Sequence, residues 1–165
     1  MLVRFLQSLI ALGAVLFLPA AAFSATATTT FQVQITIQSS CIINSASTLD
    51  FGTQGLLSAN VDATSTISVQ CTSSTAYTIS LNAGTGAGAT VAARKMTDAG
   101  SNTVTYSLYR DASRTLVWGQ TIGTDTVAGT GNGSAENYTV YGRVPSQTTP
   151  APNSFADTIT VTVTY

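Results

Sequence analysis

The chain has 165 residues, of which six are basic and seven acidic, and it contains no histidine. Charge this sparse, with no cation cluster beyond Arg94-Lys95, excludes the basic patch that nucleic-acid binding by counterion release needs. Thr, Ser, Ala and Gly fill most polar and small positions, while recurrent Val, Ile, Leu and aromatic positions argue for a folded chain of strand-forming character.

Residues 1–23 combine one positive charge at Arg4 with an apolar run at 5–18 that only Gln7 and Ser8 interrupt; Pro19 ends it before the small-residue stretch 20–27. The run is shorter than the about 20 apolar residues of a membrane anchor. It reads as a signal peptide over residues 1–25, with cleavage between 22 and 27. No later segment is long or apolar enough to span a bilayer, so no membrane insertion of the mature chain is expected. The roughly 140 residues left suit a single domain with a core of its own.

Phe31-Gln32-Val33-Gln34-Ile35-Thr36-Ile37 alternates apolar and polar positions, the pattern of a half-buried strand. Thr66-Ile67-Ser68-Val69-Gln70-Cys71 repeats it, and Tyr77-Thr78-Ile79-Ser80-Leu81 follows, closed by a glycine-rich turn at 82–88. Further strands are predicted over 104–109, 116–118 and 138–144. In 157–165 the alternation is clearest: Ile159, Val161, Val163 and Tyr165 face one way and four threonines the other. The turn-rich pieces 129–134 and 145–152 cannot be sheet interior. With no sustained helical periodicity and strands at intervals of about ten residues, the pattern predicts an all-β sandwich.

Two cysteines, Cys41 and Cys71, are expected to pair in the oxidising compartment to which export leads. The alternative is two buried free thiols. The disulfide would close a loop of about 30 residues and contribute roughly 3.5 kcal/mol on the chain-entropy account. Without histidine a Ser-His-Asp triad is impossible and the commonest general base and neutral metal ligand are missing. The acids Asp50, Asp62, Asp98, Asp111, Asp125, Glu136 and Asp157 are scattered, mostly beside turn residues. The chain is therefore not read as an enzyme, and neither a cofactor nor a metal site is expected. Asp98-Ala99-Gly100-Ser101-Asn102 lacks the spacing and closing glutamate of an EF-hand and reads as a hairpin turn. Asn132-Gly133-Ser134 and Asn137-Tyr138-Thr139 match the glycosylation pattern, which a Ser/Thr-rich chain produces by chance. Trp118 reads as a core or sheet-face residue rather than a ligand-stacking one.

Several segments together resemble the spore coat protein U domain family, which includes the major subunits of archaic chaperone-usher pili of the Csu type. They are the alternating strand leading to Cys41, Leu49-Asp50-Phe51-Gly52, the strand ending at Cys71, Tyr106-Ser107-Leu108-Tyr109-Arg110-Asp111-Ala112-Ser113-Arg114, Tyr141-Gly142-Arg143-Val144-Pro145, and the final strand 157–165. The tyrosine-arginine-aspartate segment is the most specific of these. Taken without the resemblance, Arg110, Asp111 and Arg114 read as a solvated turn with local ion pairs.

The resemblance implies an incomplete immunoglobulin-like β-sandwich, residues 41–165, completed by a donor strand. Residues 26–40 become an N-terminal donor-strand segment, with Phe31, Val33, Ile35 and Ile37 filling the groove of another subunit. Alternation alone fits equally well the first strand of the chain's own sandwich. The C-terminal strand, through Ile159, Val161, Val163 and Tyr165, would flank the groove and pair with a chaperone in transit, although core packing explains the same pattern. The partners implied are a periplasmic pilus chaperone, an outer-membrane usher and copies of the chain itself or related pilins. The location implied is the cell surface or pilus, reached through the periplasm. The expected function is a structural pilus subunit. The alternatives are a tip adhesin or carbohydrate-binding module, for which a second receptor-binding domain finds no room, and a spore or cell-coat protein on the same scaffold.

Overall fold

Strand alternation builds two facing sheets. In the computed structural model, which describes residues 21–165, eight strands follow in order: β1 (Cys41–Ala46), β2 (Val61–Cys71), β3 (Ala76–Leu81), β4 (Arg94–Thr97), β5 (Thr103–Tyr109), β6 (Val127–Thr130), β7 (Ala135–Val144) and β8 (Val161–Thr164). The described residues divide between two units, one ending at Ile35 and one running Thr36–Tyr165. The signal-peptide reading falls, for residues 1–20, outside the described residues.

β1-β2-β7-β5-β4 form a five-stranded sheet and β6-β3-β8 a three-stranded one. Every pairing is antiparallel. This is the all-β sandwich that the sequence pattern predicts. The longest pairing, β2 with β7, places Val69 opposite Glu136 and Ile67 opposite Tyr138. Opposed residues share a face, so Ile67, Val69 and Val140 turn inward with Val104, Tyr106 and Leu108 of β5. They meet Tyr77, Ile79 and Leu81 of β3, and all of these are buried. Trp118 is 1 % exposed and its indole N–H donates to the Ile79 carbonyl at 2.9 Å, so it is a core residue. Cys41 is bonded to Cys71 directly across the β1–β2 pair.

Some expectations need correction. Residues 31–37 form no strand, and Phe31, Val33, Ile35 and Ile37 are 72 to 86 % exposed. Alternation tells which face is apolar but not which sheet receives it. Residues 116–118 contribute only an isolated bridge, Val117 to Tyr109, because Trp118 is drawn into the core. The final strand is shorter than its alternation: Asp157 and Thr160 are occupied by Thr85 and Asn82. β1, β4 and β6 were not anticipated. Gly129 and Thr130 belong to β6, which lies at a sheet edge as turn-rich sequence must. Asp98 caps the β4–β5 turn by accepting the Gly100 and Asn102 N–H groups at 2.9 and 2.7 Å.

Candidate functional site: the cleft between β1 and β8

Along one side no strand pairing joins the two sheets, although β1 and β8 approach each other there. β1 pairs only with β2 and β8 only with β3 among the described residues. In β8, the Asn82 N–H donates to the Thr160 carbonyl, which fixes Thr160, Thr162 and Thr164 as the residues bonded to β3. The alternation of an antiparallel ladder then turns the N–H and C=O groups of Val161 and Val163 to the free edge. In β1, the Thr72 N–H donates to the Ser40 carbonyl at 2.9 Å, so the backbone groups of Cys41 and Ile43 point to that strand's free edge in the same way. β1 itself is exposed at every residue but Cys41.

A cleft of about 460 Å³ runs into the sandwich from this side. Its floor is the inner face of both sheets, with Ile67, Leu81, Tyr106, Leu108 and Val140; its rims are residues 46–51 on one side and 155–159 with Val161 on the other. Gly142 gives one rim room to pack. A Cβ there would lie 2.8 Å from both Leu49 methyls and 3.0 Å from the Phe51 ring, so any larger residue would have to push these side chains aside where the 49–51 segment packs against β7. Phe51 in turn meets the Tyr106 ring edge-on at 6.2 Å. The Tyr106 hydroxyl donates to Asp157 at 2.7 Å, and Asp157 also accepts from the Thr85 amide and hydroxyl. Burial, reinforced by Asp157, pushes the Tyr106 pKa far up. The phenol stays neutral and pins the 155–159 rim.

On the far side of β7, Arg143 grips Asp62 with two bonds of 2.7 and 2.9 Å, and Arg114 approaches the same carboxylate at 3.3 Å. The Arg143 bond, then the nearby Arg114 charge, holds the Asp62 pKa below its ordinary value against the opposing effect of burial. Arg114 also donates to the Gly142 carbonyl at 3.1 Å and sits over the Tyr141 ring. The 110–114 turn expected from the sequence is present, with Asp111 accepting the Thr115 and Leu116 N–H groups. The ion pair it makes reaches Asp62, distant in sequence, so it is not local.

The profile of the Spore Coat Protein U domain matches residues 27–162. The chain belongs to the spore coat protein U domain family. "Protein U" of Myxococcus xanthus is 34 % identical over an alignment of 165 positions that covers 92 % of this chain and 90 % of that protein. Among solved structures, the CsuC-CsuE chaperone-tip adhesion subunit pre-assembly complex from archaic chaperone-usher Csu pili of Acinetobacter baumannii superposes with a TM-score of 0.57 at 20 % identity. The match covers 79 % of this chain and 41 % of the solved chain, so this chain spans less than half of that neighbour's length. At such identity the likeness is one of fold.

Within this spore coat protein U domain, Ile159 and Val161 line the cleft, Val163 packs against the core, and Tyr165 is 59 % exposed. Cys41 and Cys71 lie at the start of β1 and the end of β2. Phe31, Val33, Ile35 and Ile37 precede β1 in extended sequence. Sequence reasoning assigned no role to Met96 and Phe155, which the fold brings to the cleft; Leu49 and Phe51 stood in a recognised motif but without a stated function. Among the described residues, no group of three His, Cys, Asp or Glu side chains is placed to hold a metal ion, and no helix is long and apolar enough to cross a membrane.

Proposed function

We propose that the chain is a structural subunit of a surface pilus, assembled by the chaperone-usher pathway through donor-strand exchange and serving adhesion or biofilm formation. The observation that carries this reading is the open cleft flanked by two unpaired strand edges. The same chain carries, just before β1, a segment whose four alternating apolar side chains are exposed. An extended segment laid in such a cleft gains main-chain hydrogen bonds and fills pockets with every second side chain. Left uncovered, the cleft and edges invite aggregation. A periplasmic chaperone would cover them in transit and an outer-membrane usher would pass the subunit on to copies of itself or related pilins. No catalytic step is assigned.

Changing Phe31, Val33, Ile35 and Ile37 together to Ser tests the reading. Chaperone co-purification should persist while fibres disappear from the cell surface; fibres of normal length would refute the donor role. A coat role is the second reading, supported by the 34 % identity to Protein U over most of both chains. Immunolabelling that finds the protein in coats rather than fibres would decide for it.

A further inference from the structure

We propose that a second concavity, beside the β3–β6 pair, binds a singly charged amphiphile of the fatty-acid class, its carboxylate on Arg110 and its chain against Leu116, Ile122 and Val127. This bowl shares no residue with the cleft between β1 and β8, so the proposal does not depend on what fills that cleft.

Three pieces of chain build the bowl. Tyr77 and Ile79 of β3 are buried, so Thr78 between them points to the outer face of the sheet, with Ala128 of β6 opposite it. The turn after β5 adds Leu116, which is held by its carbonyl accepting the Arg110 N–H at 3.0 Å and by its own N–H donating to Asp111 at 2.7 Å. Ile122 stands on a loop that the Gly119 N–H closes onto the Asp125 carbonyl at 2.9 Å. The space enclosed is about 600 Å³, within the range of small-ligand sites. Leu116 and Ile122 remain 50 and 60 % exposed at its edge, an apolar surface with no partner in the chain.

Arg110 supplies the charge. Its Nη1 donates to the Thr126 carbonyl at 2.8 Å and its Nη2 to the Thr124 carbonyl at 3.1 Å. Most of its five N–H donors therefore have no protein partner, and Nε is buried without one. Among the described residues Arg110 is in no ion pair, whereas Arg114 and Arg143 share Asp62. The carboxylates nearest in sequence are spent on loop bonds: Asp111 on Thr115 and Leu116, Asp125 on the Thr121 N–H. A cation held in place by two carbonyls and left without a counter-charge, among apolar walls, fits a ligand that brings both an anion and an apolar body. A carboxylate accepts from two N–H groups of one guanidinium.

Other ligand classes fit less well. A small hydrophilic anion gains nothing from Leu116 and Ile122, a neutral amphiphile leaves Arg110 unpaired, and a dianion brings a second charge for which the lining holds no second cation. A stable protein partner needs about 800 Å² on each side, more than one bowl with two exposed apolar side chains offers.

The test uses a photoreactive decanoate with a diazirine at its chain end, cross-linked to the exported chain with its disulfide closed and mapped by mass spectrometry. The label should fall within residues 116–128. Decanoate should displace it at a concentration about tenfold or more below that of decanol, which has the same chain without the charge. Ile122→Ser, at an exposed position, should weaken decanoate by about tenfold. Arg110→Gln should bring decanoate and decanol to within about twofold of each other; if that variant fails to fold, the decanol and Ile122→Ser comparisons decide. Absence of label, or label confined to the cleft at 46–51 and 155–161, overturns the proposal. So does decanol competing as well as decanoate for wild type, or Ile122→Ser binding like wild type. Label at 116–128 that falls as the protein is concentrated would give the bowl to a second copy and overturn it as well.

Discussion

Arg94 has a sequence neighbourhood that suggests a surface charge, yet it is 0 % exposed. Its guanidinium donates to the carbonyls of Asn82 at 2.8 Å, Val91 at 2.7 Å, Leu81 at 3.1 Å and Trp118 at 2.7 Å. No carboxylate is among the acceptors, so four backbone dipoles hold the cation. Burial pushes its pKa down to about 10, which leaves it charged at neutral pH. These bonds tie the start of β4 to the end of β3 in the opposite sheet, next to the floor of the cleft. Lysine offers a single compact ammonium in place of the planar fork. Arg94→Lys should therefore leave buried carbonyls unpaired and lower stability by about 3 kcal/mol. Urea unfolding with the disulfide closed measures this; a loss below about 1 kcal/mol, the net worth of one ordinary hydrogen bond, would mean the fork holds little.

At the scale of the element, β1 is the weak member. Five of its six residues are exposed, so little apolar burial keeps it on the sheet, and its attachment rests on the β2 ladder and the Cys41–Cys71 bond. Replacing both cysteines by Ser should cost roughly 3.5 kcal/mol on the chain-entropy account. Amide exchange should then rise first in β1 while the β2–β7 ladder stays protected; equal protection in β1 and β2 would show that something else holds it. The same contrast explains what was legible in the sequence. β2, β5 and β7 could be read because each has one face against the core and one against solvent, which writes a period of two. β4 and β6 could not: each is four residues long, β4 begins on inward Arg94, and β6 carries Gly129 where a Cβ would strike the Tyr77 ring and the Tyr138 hydroxyl. Residues 31–37 carry strong alternation but pair with no strand among the described residues, since periodicity records one apolar face without recording what, if anything, covers it. That Ile159 and Val161 flank a groove came from the family resemblance, since core packing explains the same alternation; they line the cleft. Phe155 and Met96 were not legible, because only the fold sets them side by side.

Among the described residues, the unit Thr36–Tyr165 is a sandwich of five strands against three with a cleft between β1 and β8, and assembly by the proposed donor-strand exchange would draw on two separable gains. Phe31, Val33, Ile35 and Ile37, exposed here, would bring about 6 to 12 kcal/mol as an upper bound if buried in another subunit's cleft, at roughly 1.5 to 3 kcal/mol each, which is comparable to the stability of an entire domain. The other gain is the main-chain ladder along β8, where the N–H groups of Val161 and Val163 face the free edge. Val163 separates the two. Val163→Ala trims the side chain and keeps the N–H, whereas Val163→Pro removes the N–H as well, at an edge position where proline leaves the β3 ladder untouched. Both variants should fold, with the disulfide closed and similar circular dichroism. The Ala variant should still form fibres and co-purify with a chaperone. The Pro variant should do neither, since a missing donor and a ring at the edge interrupt the incoming strand. Equal fibre yield from both, counted by electron microscopy, would mean that side-chain burial alone drives assembly and that the free edge of β8 is not where the second chain pairs.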